Sequence, residues 1–410
     1  MEQKPMETEW GTTPPEQKEP RLRRAHWIAL WVFSLVLTAG LVAVGFLLFL
    51  GDESLALEQA MRTIRTHFYF YEESQDALMD GALKGMTDSL EDDYAYYYTE
   101  EEYAELTQTN SGAYVGIGVA ILEQDTGVFF IEQVYPDTPA EEAGIRSGDQ
   151  LLRINGTDAA GFSLVDFLAL MQMEDGTSNA LVLLRDGEPY EVTVVAREVY
   201  TPYVVFRMLD DGVGYLHLSG FHGKCVEETK EALYALLEQG MQSLVLDLRD
   251  NPGGSLYDAC DVAGLFLEKN AVITTLRSRT EETETFRSKE PPILIGENAV
   301  PIVVLVNEHS ASASELMTGA LQDYGVATVM GTQTFGKGIV QSYFFVPETE
   351  GYIKMTTEAY YTPNGVCLHG TGITPNIVVE QSEEGRACFA PDCPYEWDLQ
   401  LQAAVRYLTE

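Results

Sequence analysis

Beyond residue 200, short apolar runs alternate with helix-forming segments, and this alternation constrains the fold more than any other feature. The predicted strands and the helices between them are, in order, 212–221, 226–240, 242–250, 257–268 and 301–307. Near-continuous apolar strands joined by helices indicate a parallel sheet that is covered on both faces. We therefore predict an α/β domain over residues 199–380.

The carboxyl end of the predicted strand 242–250 runs into a glycine-rich loop. Functional loops of such sheets gather at the carboxyl ends of the strands. This loop, DLRDNPGG, ends in Gly253 and Gly254, where backbone N–H donors are exposed and no side chain obstructs a substrate. The two glycines are candidates for an oxyanion hole, but a Pro-Gly-Gly turn by itself is equally typical of a structural turn.

A second unusual loop follows the predicted strand 301–307 and leads into a predicted helix. Its sequence, NEHSASASE, places three serines alternately with alanines. A serine at such a junction can cap the helix. It can also act as a nucleophile, with helix N–H groups ready for a developing oxyanion. The residues alone leave both roles open for Ser312 and Ser314.

A nucleophilic serine needs a base, and the domain offers two kinds. The histidines are His217, His222, His309 and His369. The other candidate is Lys337, which lies between two glycines in TFGKGIVQ, with Gln341 on the same face four residues later. A lysine acts as a base only when neutral, and burial would lower its free pKa of about 10.4. No acidic residue occurs between 324 and 347, which is consistent with that role.

Residues 109–198 show short β-rich runs divided by Gly, Asp, Asn and Pro, a pattern that predicts a small α+β domain. Two stretches, YVGIGV at 114–119 and GIRSGDQLLRING at 144–156, resemble PDZ domains. A glycine-containing loop can turn its N–H groups toward a chain-terminal carboxylate, while the next strand offers an edge for β-augmentation. The resemblance places in that loop Tyr114, Val115, Gly116, Ile117, Gly118 and Val119.

Four motifs, DLRDNPGG, SASASELMTGALQD, TFGKGIVQ and GITPN, occur in the order found in the C-terminal processing (tail-specific) peptidases. Residues 53–410 resemble this family, which combines a PDZ domain with a crotonase-like α/β serine protease domain. Asn376 stands where the family pattern has an aspartate. That position does not touch the implied catalytic pair.

The resemblance implies a role for each of the candidate catalytic residues. Ser312 corresponds to the nucleophile, Lys337 to the general base and Gln341 to the residue that orients the base. The oxyanion donors would be the N–H of Ala313 and of one glycine in the pair 253–254. Glu315 and Asp323 would then be structural.

The implied activity is that of a serine endopeptidase that cleaves proteins whose accessible C-terminal tails bind its PDZ domain. The resemblance implies no metal and no organic cofactor. Two alternatives stay open: an inactive PDZ scaffold for envelope proteins, and a histidine-dependent serine hydrolase on the same loops. The net charge of −39, from 25 basic and 64 acidic residues, would repel nucleic acid, which excludes it as a partner.

The amino-terminal part predicts a membrane anchor. Residues 27–50 carry no formal charge and are long enough to span a hydrocarbon core of about 30 Å. Arginines precede this stretch and acids follow it, so we predict a cytoplasmic tail at 1–26 and an extracytoplasmic catalytic part at the cell membrane. A cleaved signal peptide is the alternative. The predicted helical segments 51–108 and 381–410 could dimerise or could pack within the chain.

Overall fold

The computed structural model describes residues 21–70, 75–125, 127–279, 282–289, 291–388, 391 and 393–410. Within these ranges it does not describe the side chains of 21–25, 43–52, 75, 76 and 125. The first twenty residues of the predicted cytoplasmic tail lie outside the described part. The chain divides into two units, Met1–Met79 and Asp80–Glu410.

The secondary structure follows the chain in this order. The helices are α1 (Arg21–His67), α2 (Gln75–Asp88), α3 (Glu100–Ser111), α4 (Pro139–Glu142), α5 (Leu164–Leu170), α6 (Cys225–Glu238), α7 (Leu256–Gly264), α8 (Ala313–Asp323), α9 (Glu383–Ala387) and α10 (Leu399–Thr409). The strands are β1 (Tyr96–Tyr98), β2 (Ala113–Gly116), β3 (Val119–Asp125), β4 (Val128–Val134), β5 (Gln150–Ile154), β6 (Thr157–Asp158), β7 (Ser178–Arg185), β8 (Glu188–Val195), β9 (Arg197–Tyr200), β10 (Val204–Met208), β11 (Val213–Leu218), β12 (Ser243–Asp247), β13 (Val272–Ser278), β14 (Glu284–Arg287), β15 (Ile302–Val306), β16 (Thr328–Gly331), β17 (Ile339–Val346), β18 (Gly351–Tyr361) and β19 (Ile377–Val378).

The predicted transmembrane helix at 27–50 is wrong. These residues lie within α1, but no helix in the part of the chain that the structure describes is long and apolar enough to cross a membrane. The predicted extracytoplasmic location of the rest of the chain stays a prediction.

The central sheet has the strand order β10-β11-β12-β15-β16-β19, and all neighbours are parallel except β10 and β11. Strands β11, β12 and β15 are buried at every position because both faces of the sheet are covered. On one face Leu246 and Val304 pack against α6, α7 and α8. On the other face Val245 and Val303 pack against Leu401 of α10. The predicted α/β class is confirmed for this region.

A second, antiparallel sheet lies in the same unit. Its order is β1-β18-β13-β14, and β17 pairs with the opposite edge of β18 along most of its length. The short strand β1 enters this sheet from far upstream in the sequence, with Tyr96 opposite Lys354. The ring of Tyr97 is buried and its hydroxyl lies 2.8 Å from Asp80 Oδ1, which fixes β1 to the helix before it.

The region that resembles a PDZ domain forms its own sheet, β3-β4-β5-β7-β8, with β6 paired to β5. Its core includes the stacked rings of Phe129 and Phe167, whose centroids are 3.7 Å apart. Strands β2 and β9 pair antiparallel where the chain enters and leaves this region, with Ala113 opposite Tyr200. The strand β3 is left at an edge of the sheet.

Candidate active site

The loops 247–254 and 307–315 meet at the carboxyl edge of the central sheet. Hydrogen bonds from Ser310 and Ser314, which flank Ser312, join the two loops. Ser310 Oγ donates to the carbonyl of Leu248 at 2.7 Å. Ser314 Oγ donates to the carbonyl of Asn251 at 2.8 Å. Both flanking serines are fully buried, whereas Ser312 is half-buried and lines a cavity. The middle serine is therefore the one whose side chain faces a substrate space.

The backbone of Ser312 is strained. Its φ of 55° and ψ of −113° lie in a region that residues with a Cβ rarely adopt, at a cost of roughly 1–3 kcal/mol. The residue stands directly before α8, whose first residue, Ala313, lines the same cavity. This sharp turn presents the Ser312 hydroxyl beside the amino end of the helix, where the helix dipole favours negative charge.

A buried carboxylate holds the serine segment and the lysine segment together. Glu315 is fully buried, and its Oε2 accepts hydrogen bonds from the N–H of Ser312 at 2.9 Å and of Lys337 at 2.8 Å. Its Oε1 accepts from Thr334 Oγ1 at 2.6 Å and from the N–H of Gly336 at 2.7 Å. Both segments are thus fixed to one side chain. The capping-box spacing from Ser312 to Glu315 is the sequence signal that could have indicated this contact.

Tyr360 connects the same two segments from the other side. Its ring is buried, and its Oη lies 2.8 Å from the carbonyl of Ser312 and 2.5 Å from that of Lys337.

The glycine after the lysine is required by close packing, because a Cβ on Gly338 would lie 2.3 Å from the backbone nitrogen of His369. The G-K-G sequence therefore lets the lysine loop pass close to its neighbour.

The cavity has a volume of about 600 Å³ and contains all three of the predicted catalytic side chains. Ser312, Lys337 and Gln341 line it together with Lys354. Its apolar wall is formed by side chains from several elements: Leu256, Leu276, Phe286, Leu316, Ile339 and Val340. A peptide could therefore bring a carbonyl to Ser312 while burying an apolar side chain next to it.

Lys337 is half-buried and lies against an aromatic ring. Its Nζ is 4.1 Å from the ring centroid of Tyr94. Within the described part of the chain, no hydrogen bond joins this Nζ to the hydroxyl of Ser312. Burial lowers the pKa of Lys337, and the nearby charge of Lys354 lowers it further, while Asp92 opposes part of the shift. Sequence reasoning missed these three neighbours, which come from other parts of the chain.

Gln341 lines the cavity, and within the described residues no hydrogen bond joins its amide to the lysine amine. It lies on β17, and its Nε2 donates to Thr356 Oγ1 on β18 at 3.2 Å. The amide is thus available on the same wall as Lys337, without the hydrogen bond that its predicted role requires. That orienting role stays a prediction.

The two glycines of the first loop differ in how their N–H groups are used. The N–H of Gly253 donates to Asn251 Oδ1 at 2.9 Å, so it is already occupied. Gly254 lines the cavity, and its N–H has no hydrogen-bond partner among the residues that the structure describes. A Cβ on Gly253 would lie 2.9 Å from that of Ser312, which shows how closely the loops approach.

A buried ion network supports the first loop, and sequence reasoning missed it. Arg249 lies 2.6 Å from Asp247 and 2.7 Å from Asp398, and all three side chains are nearly inaccessible to solvent. Burial alone would raise the pKa of Asp247, but the charge and hydrogen bonds of Arg249 hold it below its usual value. Removing one partner of such a buried pair typically costs about 3–5 kcal/mol. The DLR sequence indicates half of this network, but its other half comes from the distant residue Asp398.

The positions of the imidazole rings limit which histidine could act as the base for Ser312 in place of Lys337. His309 is exposed and lines a different cavity, on the side of Arg249. Among the histidines that the structure describes, His222 lines the cavity of Ser312. Burial lowers the pKa of His222, so its neutral form is favoured.

A second groove lies in the PDZ-like region. It has a volume of about 850 Å³ and is lined by the predicted loop 114–119 and by Leu168, Met171 and Met173. The groove lies beside the edge strand β3, the side on which an added peptide strand could pair. A Cβ on Gly116 would lie 2.7 Å from the ring of Tyr114, so that ring covers the loop at close range.

Comparison with known proteins agrees with this geometry. The model of peptidase family S41 matches residues 212–379, and that of the PDZ domain matches 130–185. A carboxyl-terminal-processing protease of Synechocystis is 37% identical over 339 residues, covering 80% of this chain and 76% of that protein. A probable CtpA-like serine protease of Staphylococcus saprophyticus is 30% identical over 376 residues, covering 89% of this chain and 75% of that protein.

A solved structure of an S41 protease from Bacteroides fragilis superposes with a TM-score of 0.53 at 20% identity, covering 83% of this chain and 91% of that one, which shows a shared fold. The class of protein is therefore a serine-type peptidase that carries a PDZ domain. Within that class, the chain belongs to peptidase family S41, among the C-terminal processing peptidases. The predicted resemblance is confirmed, and the alternative of an inactive scaffold is set aside.

We expect replacement of Glu315 by Gln to reduce kcat/KM about a hundredfold. The amide would place an N–H₂ group against buried N–H donors, so the segments of Ser312 and Lys337 would separate. Peptidase assays and thermal unfolding would measure the effect. Glu308→Gln, on an exposed side chain of the same loop, is the matched control and should change little. Full activity of Glu315→Gln in a folded protein would contradict this role.

Proposed function

We propose that this peptidase acts through a Ser-Lys dyad, with Ser312 as nucleophile and Lys337 as general base. The single observation that carries the proposal is the attachment of both segments to Glu315, which places the two side chains in one cavity. A lysine base must be neutral, and the burial of Lys337 together with the nearby Lys354 ammonium favours that form.

In the proposed reaction, Ser312 Oγ attacks the carbonyl carbon of the scissile peptide bond while its proton passes to Lys337 Nζ. The tetrahedral oxyanion would accept hydrogen bonds from the N–H of Ala313 and of Gly254, since the N–H of Gly253 is occupied. The carbon–nitrogen bond then breaks, and the proton on Nζ passes to the leaving amine. Water attacks the acyl-enzyme with Lys337 again as base, which releases the acid and restores Ser312.

The proposed substrates are proteins with accessible C-terminal tails, recognised by the groove along 114–119. That groove combines a glycine-containing loop with an apolar wall from α5 and an open edge at β3. These are the parts needed to hold a terminal carboxylate, an apolar terminal side chain and an extended backbone. For the helical segments 51–108 and 381–410, dimerisation and packing within the chain both stay open as alternatives.

The dyad predicts that Ser312→Ala and Lys337→Ala each reduce cleavage of a tagged protein at least about a thousandfold. Lys337→Arg should be equally inactive, because arginine keeps the charge but does not lose its proton at ordinary pH. Lys269→Ala, at an exposed lysine, is the matched control. His222→Asn should keep most of the activity. Loss of activity in a folded His222→Asn, with activity kept in Lys337→Ala, would favour the histidine alternative.

The neutral base predicts a definite pH dependence. Because the pKa of Lys337 is lowered from its ordinary value of 10.5, kcat/KM should rise with pH and reach half its maximum below that value. The protonated amine predominates on the acidic side of the midpoint, so activity there should fall tenfold per pH unit. A pH profile of peptide cleavage, with chemistry shown to be rate-limiting, measures this. A flat profile from pH 6 to 10 would contradict the assignment.

Tail recognition predicts that Gly118→Ala weakens the binding of a peptide with a free C-terminus at least about tenfold. Gly118 has a φ of 84°, and a Cβ there would lie 2.3 Å from that of Thr138, so the loop must distort. Gly187→Ala is the matched control, since Gly187 has a φ of 83° but open space around it. Fluorescence anisotropy with the peptide measures both. Equal affinity of the two variants would remove the loop from tail recognition.

A further inference from the structure

The segment that precedes α3 reaches Lys337 through the ring of Tyr94. Asp92 fastens this segment to the second sheet, since its Oδ2 accepts the N–H of Thr356 and its Oδ1 accepts the N–H of Tyr94, both at 3.0 Å. The pairing of β1 with β18 fixes the same segment two residues further on. The position of the Tyr94 ring is therefore determined by β18.

The ring of Tyr94 lies on the amine of Lys337 at a distance typical of a cation–π contact. The Nζ is 4.1 Å from the ring centroid. The face of an aromatic ring attracts an ammonium but not a neutral amine. No hydrogen bond joins this Nζ to Ser312 within the described residues, so the structure shows the base on the ring rather than on the nucleophile.

Other charges also face this amine. Lys354 on β18 disfavours the ammonium, and Asp92 on the preceding segment favours it. Farther around the same cavity are the acids Asp258, Glu284 and Glu358 and the ring of His222. Replacing Tyr94 leaves all of these in place, so its contribution can be isolated.

We propose that Tyr94 is a positioning residue for the catalytic base: its ring holds the charged form of Lys337 in a waiting position off the Ser312 hydroxyl. The inference rests on the proposed function of Lys337. When the ammonium gives its proton to solvent water or hydroxide, the attraction to the ring is lost and the neutral amine is free to reach Ser312. Tyr94 thereby links the protonation of the base to its position.

The hydroxyl of Tyr94 takes no part in this role. Within the described residues the Tyr94 hydroxyl makes no hydrogen bond, whereas the backbone N–H donates to Asp92 and the ring lies over Lys337 Nζ. Tyr94→Phe should therefore behave as the parent does. Tyr94→Leu keeps an apolar side chain over the amine, and so keeps the pocket dry, but removes the aromatic face.

The test is the pH profile of kcat/KM for the full chain with each variant. In Tyr94→Leu the midpoint should fall by about 0.5–1 pH unit, because an interaction that stabilises the ammonium is gone. Activity on the acidic side of the midpoint should rise roughly three- to tenfold. Tyr94→Phe should keep the parent midpoint. An unchanged or raised midpoint in Tyr94→Leu, or an equal shift in both variants, would overturn the proposal.

A measurement on the unchanged protein covers the case in which Tyr94→Leu does not fold. With ¹³C-labelled lysine, the ε-methylene protons of Lys337 should show an upfield ring-current shift at low pH that disappears as the amine loses its proton. Absence of that shift at low pH would overturn the proposal. If Lys337→Ala stays active, the dyad itself fails; if it is inactive while Tyr94→Leu keeps the parent midpoint, only the role of Tyr94 fails.

Discussion

The carboxylate of Glu315 is the contact on which the catalytic arrangement depends. A carboxylate without access to solvent is costly unless its oxygens are fully hydrogen-bonded. Here the donors are three backbone N–H groups and one hydroxyl, and they come from the two segments that carry Ser312 and Lys337. The need to satisfy this one buried charge therefore draws together the two parts of the chain that react in the proposed mechanism.

In the proposed mechanism a strongly acidic protein must keep a lysine neutral, and the hydrogen bonding of Glu315 is consistent with this. The carboxylate of Glu315 accepts its hydrogen bonds from three backbone N–H groups and one hydroxyl. What acts on Lys337 is burial together with Lys354, opposed in part by Asp92. A net charge of −39 is thus compatible with a dry basic site, because local geometry and not the total charge determines the proton equilibrium.

Much of the fold could be predicted from the sequence because its signals are local. The alternation of apolar strands with helices indicated the central sheet, and the loops at its carboxyl edge indicated where chemistry would occur. The structure also shows why Ser312, and not a flanking serine, has a hydroxyl available for a substrate. The hydroxyls of Ser310 and Ser314 donate hydrogen bonds to the carbonyls of Leu248 and Asn251. That distinction depends on contacts between two loops, so neither loop could indicate it by itself.

The parts that sequence reasoning missed or mistook depend on residues that are distant in the chain. The sequence around Lys337 contains no acids, and it gave no sign of Asp92, Tyr94 or Lys354. These residues are brought to the amine by the pairing of β1 with β18 and of β17 with β18. The salt bridge of Arg249 with Asp398 is another case. The error over 27–50 has a different origin, since apolar composition was converted directly into a membrane-spanning length.

The PDZ domain is connected to the rest of the chain through two paired strands. Its two ends are the paired strands β2 and β9, and the chain before it has already contributed β1 to the sheet of the peptidase. The domain is therefore inserted into the catalytic fold, on a neck of two hydrogen-bonded strands. The chain that leads into this domain carries Tyr94 just before β1, so it passes the amine of Lys337 before it reaches the two paired strands.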